Sequence, residues 1–468
     1  MEFENYNLFG NWSLEIGIFE HMPYILNTEN DIKEMLRVIG AQNLDDLYKH
    51  LPSKIRLSGE LNIPEGLSEQ EVKQSVRNLA GKNKPLDSFN SFLGAGLYDH
   101  YIPSALAPLI SRAEFLTAYT PYQAECSQGI LQAIYEYQSY ICLLTGMDVS
   151  NASLFDGASS LAESVLMSLR ITKRNKVIIS SAINPEYKKT LYTYLSGFNF
   201  KIQEIDFNTQ GSTNIDSLKQ ILDENTACFA LQSPSFFGII EDTEKFSSLA
   251  KEKGVLTILV TNPISLCLLK EPGNCGVDIV CGDGQVLGGS ISLGGPSFGF
   301  LATKNEFLRQ MPGRLVGKTV DRENKTAYCL TLQAREQHIK REKATSNICS
   351  NQSLNAIQSA IYLSLMGKDG LTKCALYSLN LAHYFYEHLK EVEKIKLNFS
   401  QNFFNEFIWQ VDDARAVVKK LYKEKIIAGL TIDDSYPGLK NGILSCCTET
   451  KTKEQIDDFI ETLKNILK

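Results

Sequence analysis

The 468-residue chain is 43% hydrophobic and carries 47 Lys+Arg against 54 Asp+Glu, a formal charge of −7. That length suits two or three packed domains, and the acidic balance, with no basic run to track phosphates, excludes the usual nucleic-acid binders. The longest apolar run, VLTILVTNPISLCLLK, is broken by Thr261, Asn262 and Pro263, so no membrane span is expected.

The chain opens on MEFENYNLFGNWSLEIGIFE, which is acidic and too polar for a secretory signal, and a cytoplasmic protein is expected. Next comes MPYILNTENDIKEMLRVIG, an extended arm and an amphipathic helix. Thr28 or Asn30 can cap it, and Ile32, Met35, Leu36 and Ile39 recur on one face. Shorter helical pieces follow at DDLYKHL and SEQEVKQSVRNLA, making residues 1–80 a helical arm packed against the rest. In residues 81–330 strands and helices alternate. KVIISSAI, KIQEIDF, ACFALQS, VLTILVT, VDIVCGD and FGFLAT read as strands, with helices such as SLKQILDEN and EKFSSLAKEKG between them. That order predicts a mostly parallel sheet covered on both faces. Residues 331–468 supply a long helix (ALYSLNLAHYFYEHLKEVEKI) and a small C-terminal α+β region.

The 11 cysteines are scattered and never stand at CxxC spacing, and the six histidines form no HExxH pair. No metal site is expected. Three other stretches carry chemistry. NASLFDGASSLAESVLMSLR feeds a loop into a helix whose first residues, Gly157, Ala158, Ser159 and Ser160, are small; free N–H groups at such a start can hold a phosphate. An ordinary tight helix entry fits it equally. Residues 115–128 crowd Thr117, Tyr119, Thr120, Tyr122, Gln123, Glu125 and Gln128 together, a density that implies a shared polar pocket or interface. A helix start with Thr120 as N-cap and Pro121 in the first turn fits too. Residues 312–354 bring Arg314, Arg335, Arg341 and Lys343 as candidate anion ligands, against the plain alternative of a solvated charged surface. ATSNICSNQSL then reads as a capped helix entry.

Taken together, GAGLYDHYIP, EFLTAYTPYQAECSQG, NASLFDG, GGPSFGF, PGRLVGKTVD and LTLQAREQHIKREKATSNIC resemble one family. It is the first-subunit branch of the two-subunit glycine dehydrogenases (decarboxylating), the P-proteins of the glycine cleavage system. The resemblance runs from MPYI, residues 22 to 25, almost to the end, and gives the preceding residues no role. It implies an α/β type I pyridoxal-phosphate fold, with a large seven-stranded domain and a small C-terminal α+β domain. In such folds a lysine after a central strand holds the cofactor, and here the loop CGDGQVLGG has none, with Gln285 and Val286 in its place. The aspartate expected at the end of the preceding strand, beside the pyridinium nitrogen, is replaced by Thr261 and Asn262.

The resemblance therefore implies a chain with no catalytic residues and no cofactor of its own, in which Gly157 to Ser160 are a vestige of a phosphate loop. Pyridoxal 5'-phosphate is expected on the partner, subunit 2, in an α2β2 heterotetramer. The complex would decarboxylate glycine and pass the aminomethyl group to the lipoyl arm of H-protein. Tyr98, His100, Thr117, Tyr119 and Tyr122 are the residues expected to face the partner's active site. Two other readings are a purely structural scaffold and a self-sufficient enzyme using Lys270, Lys304 or Lys318.

Overall fold

The computed structural model describes residues 27–57, 59, 61–399, 402–432 and 436–468. The first twenty residues, which the resemblance leaves without a role, lie outside them. The chain divides into two compact units, 1–83 and 84–468, each taken by itself below.

In the first unit α1 (Glu29–Ile39) starts at Thr28, whose hydroxyl accepts from Asp31 N while the Asp31 carboxylate accepts from Thr28 N. This reciprocal cap satisfies donors that the helix start leaves open. The expected face of Ile32, Met35, Leu36 and Ile39 forms, yet of the four only Leu36 is buried. A 3-10 turn (Leu44–Tyr48) stands where DDLYKHL predicted a helix. Ser68 and Glu71 cap α2 (Glu69–Ala80) in the same reciprocal way, and no residue of that helix is buried.

The second unit is built on a seven-stranded sheet of β1 (Val149–Ser150), β2 (Lys176–Ser180), β3 (Lys201–Ile205), β4 (Thr226–Gln232), β5 (Leu256–Val260), β6 (Ile279–Asp283) and β7 (Gly299–Thr303). Their order is β1-β7-β6-β5-β4-β2-β3. The strands from β6 to β3 run parallel, whereas β7 is antiparallel to both β6 and β1. All six strands read from sequence are present. The central ones are apolar almost throughout because both faces are covered. Ile178, Phe229, Leu259 and Val280 point into one core with Tyr137 and Tyr362, while Val177, Ala230, Ile258 and Cys281 point into the other with Leu161 and Val165.

Helices α3 (Gln128–Thr145) and α4 (Gly157–Thr172) supply Tyr137 and Leu161 respectively. The second is buried almost all round despite its serines. Ser160, Ser164, Ser168 and Thr172 each donate a hydroxyl to the carbonyl four residues back, so that its polar face enters the core satisfied. Beyond the sheet lie a hairpin, β8 (Leu315–Val320) with β9 (Thr326–Thr331), and the long helix α5 (Ser353–Leu389), kinked at Gly367. That helix opens at Gln352 with no side-chain bond, so the capped entry expected at ATSNICSNQSL is absent. The small C-terminal sheet comprises β10 (Lys396–Leu397), β11 (Glu406–Gln410), β12 (Leu430–Thr431) and β13 (Gly442–Cys446), in the order β10-β11-β13-β12. An aromatic core of Phe92, Phe385, Phe407, Trp409 and Phe459 joins it to α5. Among the described residues no helix is long and apolar enough to cross a membrane, and no group of three or more His, Cys, Asp or Glu is placed to hold a metal ion.

Candidate functional site

Parallel strands send their carboxyl ends to one edge, where such sheets place their ligands. Here that edge gathers Thr261 and Asn262 after β5, Asp283 at the end of β6, Gln285 and Val286 in the next loop, and the start of α4. Gln285 and Val286 are buried. The Gln285 amide is a backbone clasp: its Oε1 accepts from Tyr98 N at 3.0 Å, and its Nε2 donates to Tyr98 O at 2.9 Å and Gly289 O at 2.6 Å. Thr261 donates its hydroxyl to Ser233 O, and Asn262 Oδ1 accepts from Ile264 N. The lysines weighed as substitutes lie elsewhere: Lys270 pairs with Glu244, Lys304 with Asp278, and Lys318 is exposed on β8.

The start of α4 differs from its expected form as a vestigial phosphate loop. Gly157 N donates to Asp283 Oδ2 at 3.0 Å, and Ser159 N donates to Asp156 Oδ1 at 2.7 Å. Ser160 N already bonds Asp156 O, and Ala158 is buried beside them. Two carboxylates of this chain thus stand where a phosphate would, drawn by the same open N–H groups and helix dipole. Asp283 also accepts from Ser297 Oγ and Gln285 N. Burial pushes its carboxyl above the ordinary value, with the nearby Asp156 charge adding to that, while those three donors pull it back. Tyr187 covers Gly157 so closely that a methyl group there would lie 2.1 Å from the phenol oxygen.

What remains between Tyr98, Asn184, Tyr187, Asn262 and Asp283 is a cavity of about 30 Å³. That holds a water molecule, whereas small-molecule pockets begin at roughly 300 Å³. The residues present do not fit pyridoxal phosphate.

Tyr98 and His100 are placed inside, which corrects the expectation that they face a partner. Tyr98 donates its hydroxyl to Glu406 Oε1 at 2.5 Å, and Ala95 N donates to Glu406 Oε2 at 2.9 Å. Burial pushes the Glu406 carboxyl up to about 7. His100 Nδ1 meets Glu449 Oε2 at 2.8 Å, where Ser378 Oγ also donates, and Tyr101 N donates to Glu449 Oε1. Although burial works to raise Glu449, the hydrogen bond and charge of His100 and the Tyr101 N–H hold it below the ordinary value. These are joints between the segment 94–101 and the C-terminal domain. The physical reason is pairing: the Tyr98 hydroxyl and His100 Nδ1 each meet a buried carboxylate, while His100 Nε2 is buried with no partner among the described residues.

Thr117, Tyr119 and Tyr122 are exposed, Tyr119 by 78%. Thr120 caps no helix, because its hydroxyl accepts from Arg314 Nη1 at 2.9 Å and α3 begins only at Gln128. Arg314 Nη2 donates to Tyr122 Oη at 2.8 Å, with the guanidinium 5.3 Å from the Tyr122 ring centre and Glu336 at 3.7 Å. Arg314 is thus a buried strut holding this segment rather than an open anion ligand. Arg335 spends its guanidinium on Met311 O and Gly313 O, leaving Arg341 and Lys343 exposed. Sequence reasoning assigned nothing to Asp283 or Glu406. The available signal was a carboxylate set in an apolar run, Asp283 closing VDIVCGD and Glu406 inside FFNEFIWQ.

Residues 22–463 match the family described as glycine cleavage system P-protein. The chain is 45% identical over 442 residues to a probable glycine dehydrogenase (decarboxylating) subunit 1 of Carboxydothermus hydrogenoformans, covering 94% of this chain and 99% of the relative. It is 47% identical over 437 residues to the protein of that name from Desulforamulus reducens, covering 93% and 98%. A crystal structure of glycine decarboxylase (P-protein) of the glycine cleavage system, in inhibitor-bound form, superposes with a TM-score of 0.88 at 42% identity, over 95% of this chain and all of that one. Sphingosine-1-phosphate lyase of Burkholderia pseudomallei shares the fold alone, with a TM-score of 0.65 at 13% identity over 89% of this chain and 94% of that one.

Proposed function

Since the chain belongs to the glycine cleavage system P-protein family, we propose that it is the half of a two-chain glycine dehydrogenase (decarboxylating) that does not hold the cofactor. The family is pyridoxal-phosphate-dependent, and its relatives of this length are named as subunit 1, which implies a second subunit. The observation that carries the finer reading is the closed carboxyl edge. Its cavity is about 30 Å³, Gln285 clasps backbone in the lysine's place, and Asp283 holds the start of α4.

On this reading pyridoxal phosphate sits on the partner, where it acts as the electron sink for decarboxylation. The complex, an α2β2 heterotetramer, takes glycine, releases carbon dioxide and passes the aminomethyl group to the lipoyl arm of H-protein. This chain's own share is positional. Thr117, Tyr119 and Tyr122 stand exposed on a segment that Arg314 fixes from beneath, which supports their forming one wall of the partner's site. Preset rings and hydroxyls of this kind orient a bound substrate without paying for reorganisation.

The test is to purify the chain alone, incubate it with pyridoxal phosphate and treat it with borohydride. The expected outcome is no reduced adduct on any of its lysines, and glycine decarboxylation only after the partner chain is added. A trapped lysine on this chain, together with turnover in the partner's absence, overturns the reading.

A further inference from the structure

A pocket of about 440 Å³ lies along the second half of α4, and its whole lining comes from residues 163–347 of the second unit. Small-molecule sites start at roughly 300 Å³ and are mostly apolar with a few placed polar groups. Leu166 and Leu169 of α4 form one wall. Tyr194 of the helix Pro185–Leu195 forms another, with Phe198 and Phe200 just beyond it. Those two phenylalanine rings stack at 5.4 Å and 30°, which makes one aromatic surface. Two charged groups in the pocket have open atoms. Glu163 is 1% exposed, and its Oε2 has no hydrogen-bond partner among the described residues. Arg170 donates Nη2 to Gln310 O at 3.0 Å, but its Nε is buried without an acceptor. Burial pushes the Glu163 carboxyl up and the Arg170 guanidinium down, while the Ser346 hydroxyl and the attraction of the opposite charges work the other way. The two residues are seven apart on one face of α4, which is two turns and about 10.5 Å along its axis. An open acceptor and an open donor of opposite charge thus share one pocket, and burial makes both costly until something satisfies them.

We propose that this pocket binds a free α-amino acid with a large apolar side chain. The ligand's ammonium donates to Glu163 Oε2, its carboxylate accepts from Arg170 Nε, and its side chain lies against Phe198 and Phe200. Charge-assisted bonds of this kind are the strong ones. Lys173, exposed at the Arg170 end of α4, adds a second cation for the carboxylate. A simple cation or a simple anion answers one open atom and meets its own charge at the other. Water satisfies both atoms but gains nothing from the aromatic wall. A protein segment needs a basic and an acidic side chain placed together, whereas an α-amino acid carries both charges on one carbon. The inference holds whichever chain carries the cofactor.

The experiment titrates the full chain calorimetrically with L-phenylalanine, and in parallel with glycine, N-acetyl-L-phenylalanine and L-phenylalaninamide. One saturable site for L-phenylalanine is expected. Each of the other three should bind at least ~10-fold more weakly, since glycine lacks the side chain, the acetyl compound the ammonium and the amide the carboxylate. Phe198→Ala, at a position 57% exposed, and Glu163→Gln should each weaken L-phenylalanine binding at least ~10-fold. Urea midpoints verify both folds, and where Glu163→Gln does not fold, Phe198→Ala and the three analogues decide. No saturation of the wild-type chain at millimolar L-phenylalanine overturns the site, the result expected when another part of the protein fills the pocket. Analogues that bind as tightly as L-phenylalanine overturn the pairing with Glu163 and Arg170. Unchanged binding in either folded variant puts the amino acid elsewhere and likewise overturns the proposal.

Discussion

Glu406 offers the most quantitative test of how the C-terminal domain is fastened to the rest. Its carboxyl lies at the start of β11, fully inside, bonded to Tyr98 Oη and Ala95 N. Burial lifts it from the ordinary 4.5 to about 7. A folded state that binds a proton more tightly than the unfolded chain keeps that advantage below pH 4.5. It then loses the advantage progressively as pH rises through 7. At about 1.4 kcal/mol per pH unit, the loss between pH 4 and pH 8 is about 3 kcal/mol, a large part of the roughly 5–15 kcal/mol that holds a protein folded. Glu406→Gln removes the titration but keeps both contacts, since the amide accepts from Ala95 N and donates to the Tyr98 oxygen. Glu241 is also raised to about 7 by burial, so the wild-type profile carries both groups and the informative quantity is the variant minus the wild type. Urea unfolding at pH 4, 6, 7 and 8 should show that difference rising in the variant's favour by about 3 kcal/mol. A difference independent of pH would mean that Glu406 is ionised in the native protein, and the reasoning would fail.

Tyr119→Ala and Tyr122→Phe, assayed in the reconstituted complex, should lower glycine decarboxylation by roughly 10²-fold, the scale on which misplaced orienting groups act. Partner affinity should stay unchanged, and turnover like wild type in both would leave this chain a scaffold. His100→Ala should instead act on folding: with its partner gone, buried Glu449 costs about 3 kcal/mol in urea unfolding. Glu449→Gln in the same chain should recover most of that loss, and an unshifted midpoint for His100→Ala alone refutes the joint.

The sheet was legible because buried parallel strands leave short apolar runs between turns, and all six runs proved to be strands. So was the start of α4, read as a loop feeding into a helix at the small residues Gly157 to Ser160, though its cap, Asp156, was not singled out. Periodicity placed the arm's helix, Glu29–Ile39, behind its Thr28 cap, but not what its apolar face meets. Ile32, Met35 and Ile39 have a core-like spacing, but spacing shows only that a face is apolar and not what covers it. Tyr98 and His100 misled for a related reason. A polar ring in a dense motif reads as a site residue until its partner is known, and Glu406 and Glu449 stand 308 and 349 residues further along. Pairing at that distance leaves no local pattern. The Arg314 strut, reaching back 192 residues to Tyr122, was hidden in the same way.

The closure of the carboxyl edge is more than the loss of a lysine. Removing one side chain from a cofactor pocket leaves open helix N–H groups and a polar void, and buried donors without acceptors cost about 1–3 kcal/mol each. Here several such vacancies have a resident: Asp283 on Gly157 N, Asp156 on Ser159 N, Gln285 on the Tyr98 backbone, and Tyr187 over Gly157, while Asn262 Nδ2 is buried at the cavity with no partner among the described residues. Two of the residents also tie the edge to the segment 94–101, Gln285 directly and Tyr187 across the same small cavity as Tyr98. From there Glu406 and Glu449 carry the connection into the C-terminal domain. A site that must admit and release substrate depends on loops and domains that move. The same region is here bridged by buried carboxylate and amide contacts that run from the edge into the C-terminal domain. Such bridges suit a chain whose proposed task is to hold Thr117, Tyr119 and Tyr122 in place for chemistry performed on another.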